Sequence, residues 1–187
     1  MPTDRKSPAA GELHVWRVEL AGDERRETAR RALAAILADY LGGAAKAALS
    51  AGENGKPRLA VRPERLSFNL SHSDGLALVA IAPGGVEVGV DVERLQPRRD
   101  PVRLAERWLP TDDARTVASA GADRERAFYA AWTRHEARVK CVGTGLAGPP
   151  PPTDVAAFAL EIDDGYAAAV ALEAAGEPRI TLRTWDR

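Results

Sequence analysis

The chain has 187 residues and a formal net charge of −1; 45% of the residues are hydrophobic and 28% are charged. This composition is that of a globular protein with a core, and it argues against both a disordered chain and a strongly basic nucleic-acid binder. Cys141 is the only cysteine, so no internal disulfide can form and a reducing compartment is favoured. Without an apolar run of roughly 20 residues or a secretory signal, we expect a cytoplasmic protein.

The first half of the chain is predicted to form a strand, a helix and three further strands. Residues 12–20 alternate as in a strand, and residues 23–43 have the apolar spacing of a helix that two glycines end. Turn-forming residues dominate 50–60. The three strand-like runs come next, at residues 65–72, 76–82 and 86–95.

The second half is predicted to form helices first and strands afterwards. Helical patterns begin near Pro101 and resume over residues 124–143, and a polyproline break separates these helices from the C-terminal strands. The three remaining strand candidates are residues 155–162, 166–173 and 179–185.

These elements predict an α+β fold in two parts. We expect a pseudo-twofold pair of similar lobes, each a small antiparallel sheet packed with helices. The expected lobes are residues 1–87 and 88–187, which together form one compact unit.

The segment "GVDVE" is the first candidate for chemistry. Side chains alternate along a strand, so Asp91 and Glu93 lie on one face. Two neighbouring carboxylates repel each other, and a bound cation would remove that repulsion. The alternative is the solvated polar face of an edge strand.

The segment "AWTRHEARVKCVGTGL" is the second candidate. Spacing of four places Trp132, Glu136 and Lys140 on one helix face. Glu136 could be a third carboxylate for the same cation, and Lys140 could hold a phosphate oxygen. The alternative is an ordinary Glu–Lys helix pair that ends at a glycine stop.

Two further segments carry polar or basic groups next to turns. Ser71 and His72 in "NLSHS" offer a hydroxyl and an imidazole, while Lys56 and Arg58 in "NGKPRL" offer positive charge beside a glycine. A Ser-His-Asp hydrolase is a poor fit, because Ser71 and His72 are adjacent and point to opposite faces. Contact with phosphate or ribose is the better functional interpretation; a structural histidine and an ordinary turn are the alternatives.

In series, these four segments resemble the 4′-phosphopantetheinyl transferase superfamily. The family pattern runs Gly-Lys-Pro, Asn-x-Ser-His-Ser, Gly-(hydrophobic)-Asp-x-Glu, and Trp-(Thr/Ser)-x-Lys-Glu-Ala-x-x-Lys with a trailing Gly-x-Gly-Leu. This chain has "GKP" at 55–57, "NLSHS" at 69–73, "GVDVE" at 89–93 and "WTRHEARVKCVGTGL" at 132–146. The chain is most similar to the longer, single-chain kind with two fused lobes, the surfactin-synthetase-activating type.

The resemblance implies a reaction of the holo-[acyl-carrier-protein] synthase type. Such enzymes use coenzyme A and a divalent cation, usually Mg²⁺ with Mn²⁺ as a further candidate. They move the 4′-phosphopantetheine arm to a serine of an apo acyl or peptidyl carrier protein and release adenosine 3′,5′-bisphosphate. The carrier could serve fatty-acid, polyketide, nonribosomal-peptide or lysine-pathway synthesis.

The resemblance also implies a role for each candidate residue. The metal ligands would be Asp91, Glu93 and Glu136. Glu136 would take the proton of the carrier serine, directly or through water, and Lys140 would stabilise the pyrophosphate. The nucleotide end of coenzyme A would contact residues mainly of the N-terminal lobe, namely Lys56, Pro57, Arg58, Ser71 and His72, with His72 near the 3′-phosphate.

Three positions depart from the family pattern. His135 stands where the family has lysine, so any charge there becomes pH-dependent. Ala34 stands where an arginine often contacts the 3′-phosphate, which leaves Arg30 and Arg31 as candidate substitutes. Asp113 replaces a glutamate in the segment "LPTDD".

A cluster of arginines is a candidate docking surface for the carrier. Carrier proteins of this kind are acidic, so a basic surface would attract them, although a solvated helix face is the alternative. We expect a monomer, because a two-lobe chain supplies a complete site. The arginine cluster consists of Arg94, Arg98, Arg99, Arg103 and Arg107.

Two other functions use the same residues. A catalytically silent relative would bind coenzyme A or a carrier as a regulator. A metal-dependent phosphohydrolase would break down coenzyme A without a carrier.

Overall fold

The computed structural model describes residues 7–44, 49–51, 57–59, 66–173 and 176–186. Within these ranges the chain forms two main sheets, a short two-stranded ribbon and four α-helices. The strands are β1 (Glu12–Glu19), β2 (Leu49–Ala51), β3 (Pro57–Leu59), β4 (Leu66–Ser73), β5 (Leu76–Pro83), β6 (Val88–Arg94), β7 (Val155–Ala159), β8 (Tyr166–Glu173) and β9 (Arg179–Trp185). The helices are α1 (Arg25–Leu41), α2 (Pro101–Trp108), α3 (Thr111–Ser119) and α4 (Arg124–Val142).

The predicted α+β class is confirmed. The first sheet has the strand order β4-β5-β1-β9, and the second has the order β6-β8-β7. All pairs are antiparallel except β1 with β9. The strand β9 therefore belongs to the first sheet, although it comes from the last residues of the chain. The pseudo-twofold relation and the division at residues 87 and 88 remain predictions.

The two sheets pack face to face. One hydrophobic cluster joins Leu13, Val15 and Leu78 of the first sheet to Val90 and Val170 of the second. These residues recur at every second position, so each strand has its other face free for a helix. The order of layers is therefore helix, sheet, sheet, helix.

Helix α1 covers the outer face of the first sheet. Its buried residues have helical spacing and include Leu33, Ile36 and Leu37, which pack with Trp16 and other residues of the sheet. The helix ends at Gly42, whose positive φ of 71° allows its N–H to bond back to Ala38.

Helix α4 lies very close to β6 and β8 on the outer face of the second sheet. A Cβ on Gly89 would be 2.0 Å from the Ala137 oxygen and 2.4 Å from the Cys141 nitrogen. Two alanines of β8, Ala169 and Ala171, join Ala137 and Cys141 in the same buried cluster. Small side chains therefore let the α4 backbone approach the sheet, and this approach brings Glu136 and Lys140 towards β6.

The sequence predicted most of these elements closely. The main departures are the short strands β2 and β3, which fall in a stretch interpreted as turns, and α3, for which no separate helix was predicted. None of the helices in the described part of the chain is long and apolar enough to cross a membrane.

Candidate functional site

The site is centred on a line of contact between β4 and β6, which we name the β4–β6 seam. Each of these strands is an edge strand of its sheet. Polar side chains at every second position of β4 reach across to β6. Asn69 Oδ1 accepts a hydrogen bond from the Val90 N–H (3.0 Å), and Ser71 Oγ donates to Asp91 Oδ1 (2.9 Å). The polar alternation "NLSHS" therefore joins two sheets that do not pair through their backbones.

Asp91 is the most buried charged group of the seam, with 3% of its surface exposed. Its Oδ1 atom accepts from Ser71 Oγ and from Lys140 Nζ, which lies 2.6 Å away. Its Oδ2 atom is buried and has no hydrogen-bond partner among the residues that the structure describes. Burial raises the pKa of this carboxyl, and Lys140 opposes that rise. One carboxylate oxygen is thus left for a further cation or donor.

Glu136 and Lys140 approach the seam from α4. They are one helical turn apart and so share a face, as the sequence indicated. Burial and the charge of Asp91 raise the pKa of Glu136, Glu93 adds to this rise, and Lys140 opposes it. Three carboxylates and one ammonium group are therefore within electrostatic reach of one another.

The predicted ligands Asp91, Glu93 and Glu136 fit a hard divalent cation in chemistry. All three offer carboxylate oxygens, which Mg²⁺ prefers, and no described residue donates a hydrogen bond to the buried Oδ2 of Asp91. As they stand, no three His, Cys, Asp or Glu side chains among the described residues form a group ready to hold an ion. The Lys140 ammonium is the cation that lies beside Asp91, and the three-ligand set remains a prediction.

His72 faces away from the seam and lines an open cleft of about 460 Å³ at the start of α1. Arg25 and Arg26 line the same cleft, and Arg25 forms an ion pair with Asp74. Asp23, Glu24 and Glu27 lie there too, so the cleft has mixed charge.

The cleft does not contain the arginines that the sequence suggested. Neither Arg30 nor Arg31 lines it; both are exposed, and the Arg31 guanidinium donates to Thr28 Oγ1 (3.2 Å). The first-turn residues Arg25 and Arg26 lie beside His72 instead. The sequence did not point to Arg25 and Arg26, because helical spacing alone does not show which turn of α1 approaches the β4–β5 turn.

The nucleotide contacts predicted in the segment "NGKPRL" fall largely outside the described residues. Lys56 is not described. The backbones of Pro57 and Arg58 form β3, which pairs with Ala51 and Ser50 of β2. Whether this ribbon contacts coenzyme A remains a prediction.

His135 and Trp132 lie on α4 but away from the seam contacts. Burial and Arg138 lower the pKa of His135, while Asp113 opposes that effect. Trp132 stacks on Phe128 with ring centroids 5.8 Å apart and packs into the cluster of α2, α3 and α4. These contacts give Trp132 a packing role within the C-terminal helices rather than at the seam.

The arginine cluster is exposed, and several of its members have partners within the chain. Arg98 donates through Nε to the Tyr129 hydroxyl (2.8 Å), and Arg94 lies over the Tyr166 ring. Arg107 lies over the Trp108 ring. Arg99 and Arg103 share this exposed surface on and before α2. Docking of a carrier here remains a prediction.

Comparison with known proteins gives a consistent result. A family model described as the 4′-phosphopantetheinyl transferase superfamily matches residues 87–183. The 4′-phosphopantetheinyl transferase HetI of Nostoc sp. is 35% identical over 170 residues, which cover 73% of this chain and 70% of that protein. A putative 4′-phosphopantetheinyl transferase of Synechocystis sp., slr0495, is 34% identical over 99 residues, which cover 52% of this chain and 40% of that protein.

These matches define the class of protein. The chain belongs to the 4′-phosphopantetheinyl transferase superfamily. The resemblance predicted from the four sequence motifs is therefore confirmed.

Proposed function

We propose that this protein transfers the 4′-phosphopantetheine arm of coenzyme A to a serine of an apo carrier protein and releases adenosine 3′,5′-bisphosphate. It would be of the two-lobe kind. It would act as a monomer, because one chain supplies both sides of the seam. Its location would be cytoplasmic, as the single cysteine favours a reducing compartment. The observation that carries the proposal is the environment of Asp91: it is buried and held by Ser71 and Lys140, and within the described ranges its second oxygen has no hydrogen-bond partner.

The carboxylates of the seam are the proposed cation ligands. Asp91, Glu93 and Glu136 would hold Mg²⁺ or Mn²⁺, which would neutralise charge on the pyrophosphate. Burial and mutual repulsion disfavour ionised Asp91 and Glu136 in the protein alone, as their raised pKa values indicate. A divalent cation would relieve this repulsion.

Lys140 has two proposed positions. In the protein alone its ammonium neutralises Asp91 and also donates to Ser71 Oγ (2.9 Å). With a cation held by the carboxylates, the Lys140 ammonium would be able to turn from Asp91 to the diphosphate, where its compact positive charge would favour the transfer.

Glu136 is the proposed general base. Its carboxylate lies on the α4 face that approaches Asp91 and Lys140, where it would accept the proton of the carrier serine directly or through water. The proton would go to a Glu136 oxygen as the serine oxygen attacks the β-phosphorus and the pyrophosphate bond breaks.

The cleft at the start of α1 is the proposed site for the nucleotide phosphate. His72, Arg25 and Arg26 line it, and the Asp74 carboxylate holds Arg25 near the cleft. A phosphate bound there would lie on the other face of β4 from the seam, so β4 would separate the nucleotide end from the reacting end.

Mass spectrometry of an apo carrier tests this function directly. Incubation with the protein, coenzyme A and Mg²⁺ should add the mass of one phosphopantetheine arm to the carrier, and a carrier whose acceptor serine is alanine should gain nothing. A panel of apo acyl and peptidyl carriers should be tested, because a negative result with one carrier could mean only that this carrier is the wrong partner. Binding of coenzyme A without any mass gain across the panel would instead support a silent binding protein, and coenzyme A breakdown without a carrier would support a hydrolase.

A further inference from the structure

We propose that Ser73 is a positioning residue that holds Glu93 in the orientation needed for cation binding. The inference rests on the proposed function, since it assumes that Glu93 is a cation ligand. It goes beyond that function by making one hydroxyl of the first sheet set the geometry of a ligand in the second sheet.

The hydrogen bonds of Ser73 define the direction of its hydroxyl. Ser73 is the last residue of β4, and its Oγ accepts a hydrogen bond from the Arg94 N–H (3.1 Å). Because that N–H occupies a lone pair, the hydroxyl proton is available for Glu93 Oε2, 2.9 Å away. The Ser73 hydroxyl thus connects the backbone N–H of Arg94 to the side chain of Glu93, the preceding residue of β6.

This contact restricts a side chain that would otherwise be mobile. Glu93 is only partly buried and lies near the end of β6, whereas Asp91 is buried. A glutamate with free rotamers loses conformational entropy when it ligates an ion. Ser73 removes part of that cost beforehand, in the way that hydrogen-bonded partners orient metal ligands in other proteins.

Two other polar residues of β4, Asn69 and Ser67, differ from Ser73 because neither contacts a carboxylate side chain in the described part of the chain. Asn69 Oδ1 accepts from the Val90 backbone rather than from a carboxylate side chain, so its contribution is to the joining of the sheets. Ser67 lies on the same strand face, at the far end of β4, where its register partner is Ala82. Ser67→Ala is therefore a matched control for a serine lost from this face without loss of a carboxylate contact.

Titration of the purified full-length protein with Mn²⁺, monitored by electron paramagnetic resonance of free Mn²⁺, tests the inference without measuring activity. Ser73→Ala should weaken Mn²⁺ binding about tenfold. Ser73→Thr, which keeps the hydroxyl, and Ser67→Ala should bind as the wild type does. In a Glu93→Gln background the Ser73→Ala change should have no further effect on Mn²⁺ affinity, because the group it positions is gone.

Two results would overturn the positioning role while leaving the metal site in place: unchanged Mn²⁺ affinity in Ser73→Ala, or an equal tenfold loss in the Glu93→Gln background. Thermal unfolding identifies a Ser73→Ala protein that does not fold, and Ser73→Cys, which keeps the size but donates weakly, then replaces it with the same expected loss. If the wild type binds no Mn²⁺ with or without coenzyme A, the metal part of the proposed function fails, and this inference fails with it. Mn²⁺ binding without carrier modification would reject the transferase and leave the role of Ser73 standing.

Discussion

Two neighbouring residues of β4, Ser71 and His72, belong to very different surroundings. Ser71 is buried in the seam and bonds to both Asp91 and Lys140. His72 is exposed and lines an open cleft of mixed charge. One strand therefore presents an organised group of buried charges on one face and a solvated, loosely held group on the other.

The difference suggests how each face would contribute to the proposed reaction. Asp91 and Ser71 are buried and hydrogen-bonded to each other before substrate arrives, so changes at the seam should lower kcat. Exposed charges are screened and mobile, so changes in the cleft should raise KM and leave kcat near its normal value.

Glu136→Gln should give the largest effect on the seam side. It removes the proposed base and one cation ligand, and we expect kcat to fall by about 10³-fold or more. The fold should remain, because Gln has nearly the same shape. Steady-state rates with carrier and coenzyme A measure the loss, and Glu161→Gln, at an exposed loop position, is the control. Substantial activity of Glu136→Gln at saturating Mg²⁺ would remove this residue from the mechanism.

Gly89→Ala should damage both the fold and the seam. The added Cβ would overlap the α4 backbone and push Glu136 and Lys140 away from β6. We expect a loss of about 1–3 kcal/mol in the free energy of unfolding and a large fall in kcat. Urea denaturation and rate measurements check this.

Gly75→Ala is the matched control for that substitution. A Cβ at Gly75 would meet only ordinary contacts, at 3.5 Å from the Tyr166 hydroxyl and 3.7 Å from the Leu20 oxygen. Equal stability of Gly89→Ala and Gly75→Ala would show that α4 does not depend on the close approach.

The same contrast explains what the sequence could and could not predict. Regular alternation predicted that Asp91 and Glu93 share a face, and helical spacing predicted that Glu136 and Lys140 do. Neither pattern shows which strand edge faces another, so the roles of Asn69 and Ser73 could not be predicted. These positions are visible in the sequence only as polar residues that alternate with Phe68, Leu70 and His72.

The joining of distant segments was also beyond the sequence patterns. Nothing local in residues 179–185 indicates that this strand pairs with β1 in parallel, because strand order depends on packing between parts of the chain far apart in sequence. The motif resemblance, by contrast, predicted the family correctly, since four weak motifs in a fixed order are together specific.

Arg25→Ala combined with Arg26→Ala should act on the cleft side. We expect KM for coenzyme A to rise about tenfold and kcat to change little, because two exposed charges each contribute modestly to phosphate binding. The Arg30→Ala and Arg31→Ala pair is the matched control on the same helix. With 3′-dephospho-coenzyme A the effect of the first pair should disappear; an undiminished effect would place the 3′-phosphate elsewhere.

Arg103→Glu combined with Arg107→Glu tests the docking surface. We expect KM for an acidic carrier to rise several-fold at low salt, with less effect at high salt and no change in KM for coenzyme A. Arg115→Glu, on the neighbouring helix α3, is the control. Equal changes in both KM values would reject docking on the arginine cluster.

The smallest expected effect is on the pH dependence of stability, through His14 of β1, which lies outside both the seam and the cleft. His14 is buried, and its Nδ1 lies 2.6 Å from the Tyr40 hydroxyl. Burial and Arg183 lower the pKa of His14, so the unfolded chain binds this proton more readily than the folded protein. The stability that neutral His14 contributes is complete when the pH is above the pKa of this histidine in the unfolded chain. It is lost as the pH falls through the pKa of His14 in the folded protein.

Thermal unfolding between pH 7.5 and pH 5 measures this effect. His14→Gln should lose less Tm on acidification than the wild type, whatever its Tm at neutral pH. His135→Gln, whose histidine also has a lowered pKa, gives the second comparison. Parallel pH profiles for the wild type and His14→Gln would show that His14 does not contribute to acid sensitivity.

We expect carboxylates from two separate segments, β6 and α4, to share one divalent cation at the β4–β6 seam. Anomalous scattering from a crystal grown with coenzyme A and Mn²⁺ would locate that cation. A single strong peak should lie between Asp91 and Glu136, with the Lys140 ammonium moved from Asp91 to the diphosphate. A bound diphosphate with Lys140 still on Asp91 and Mn²⁺ held elsewhere would rule out a shared cation at the seam.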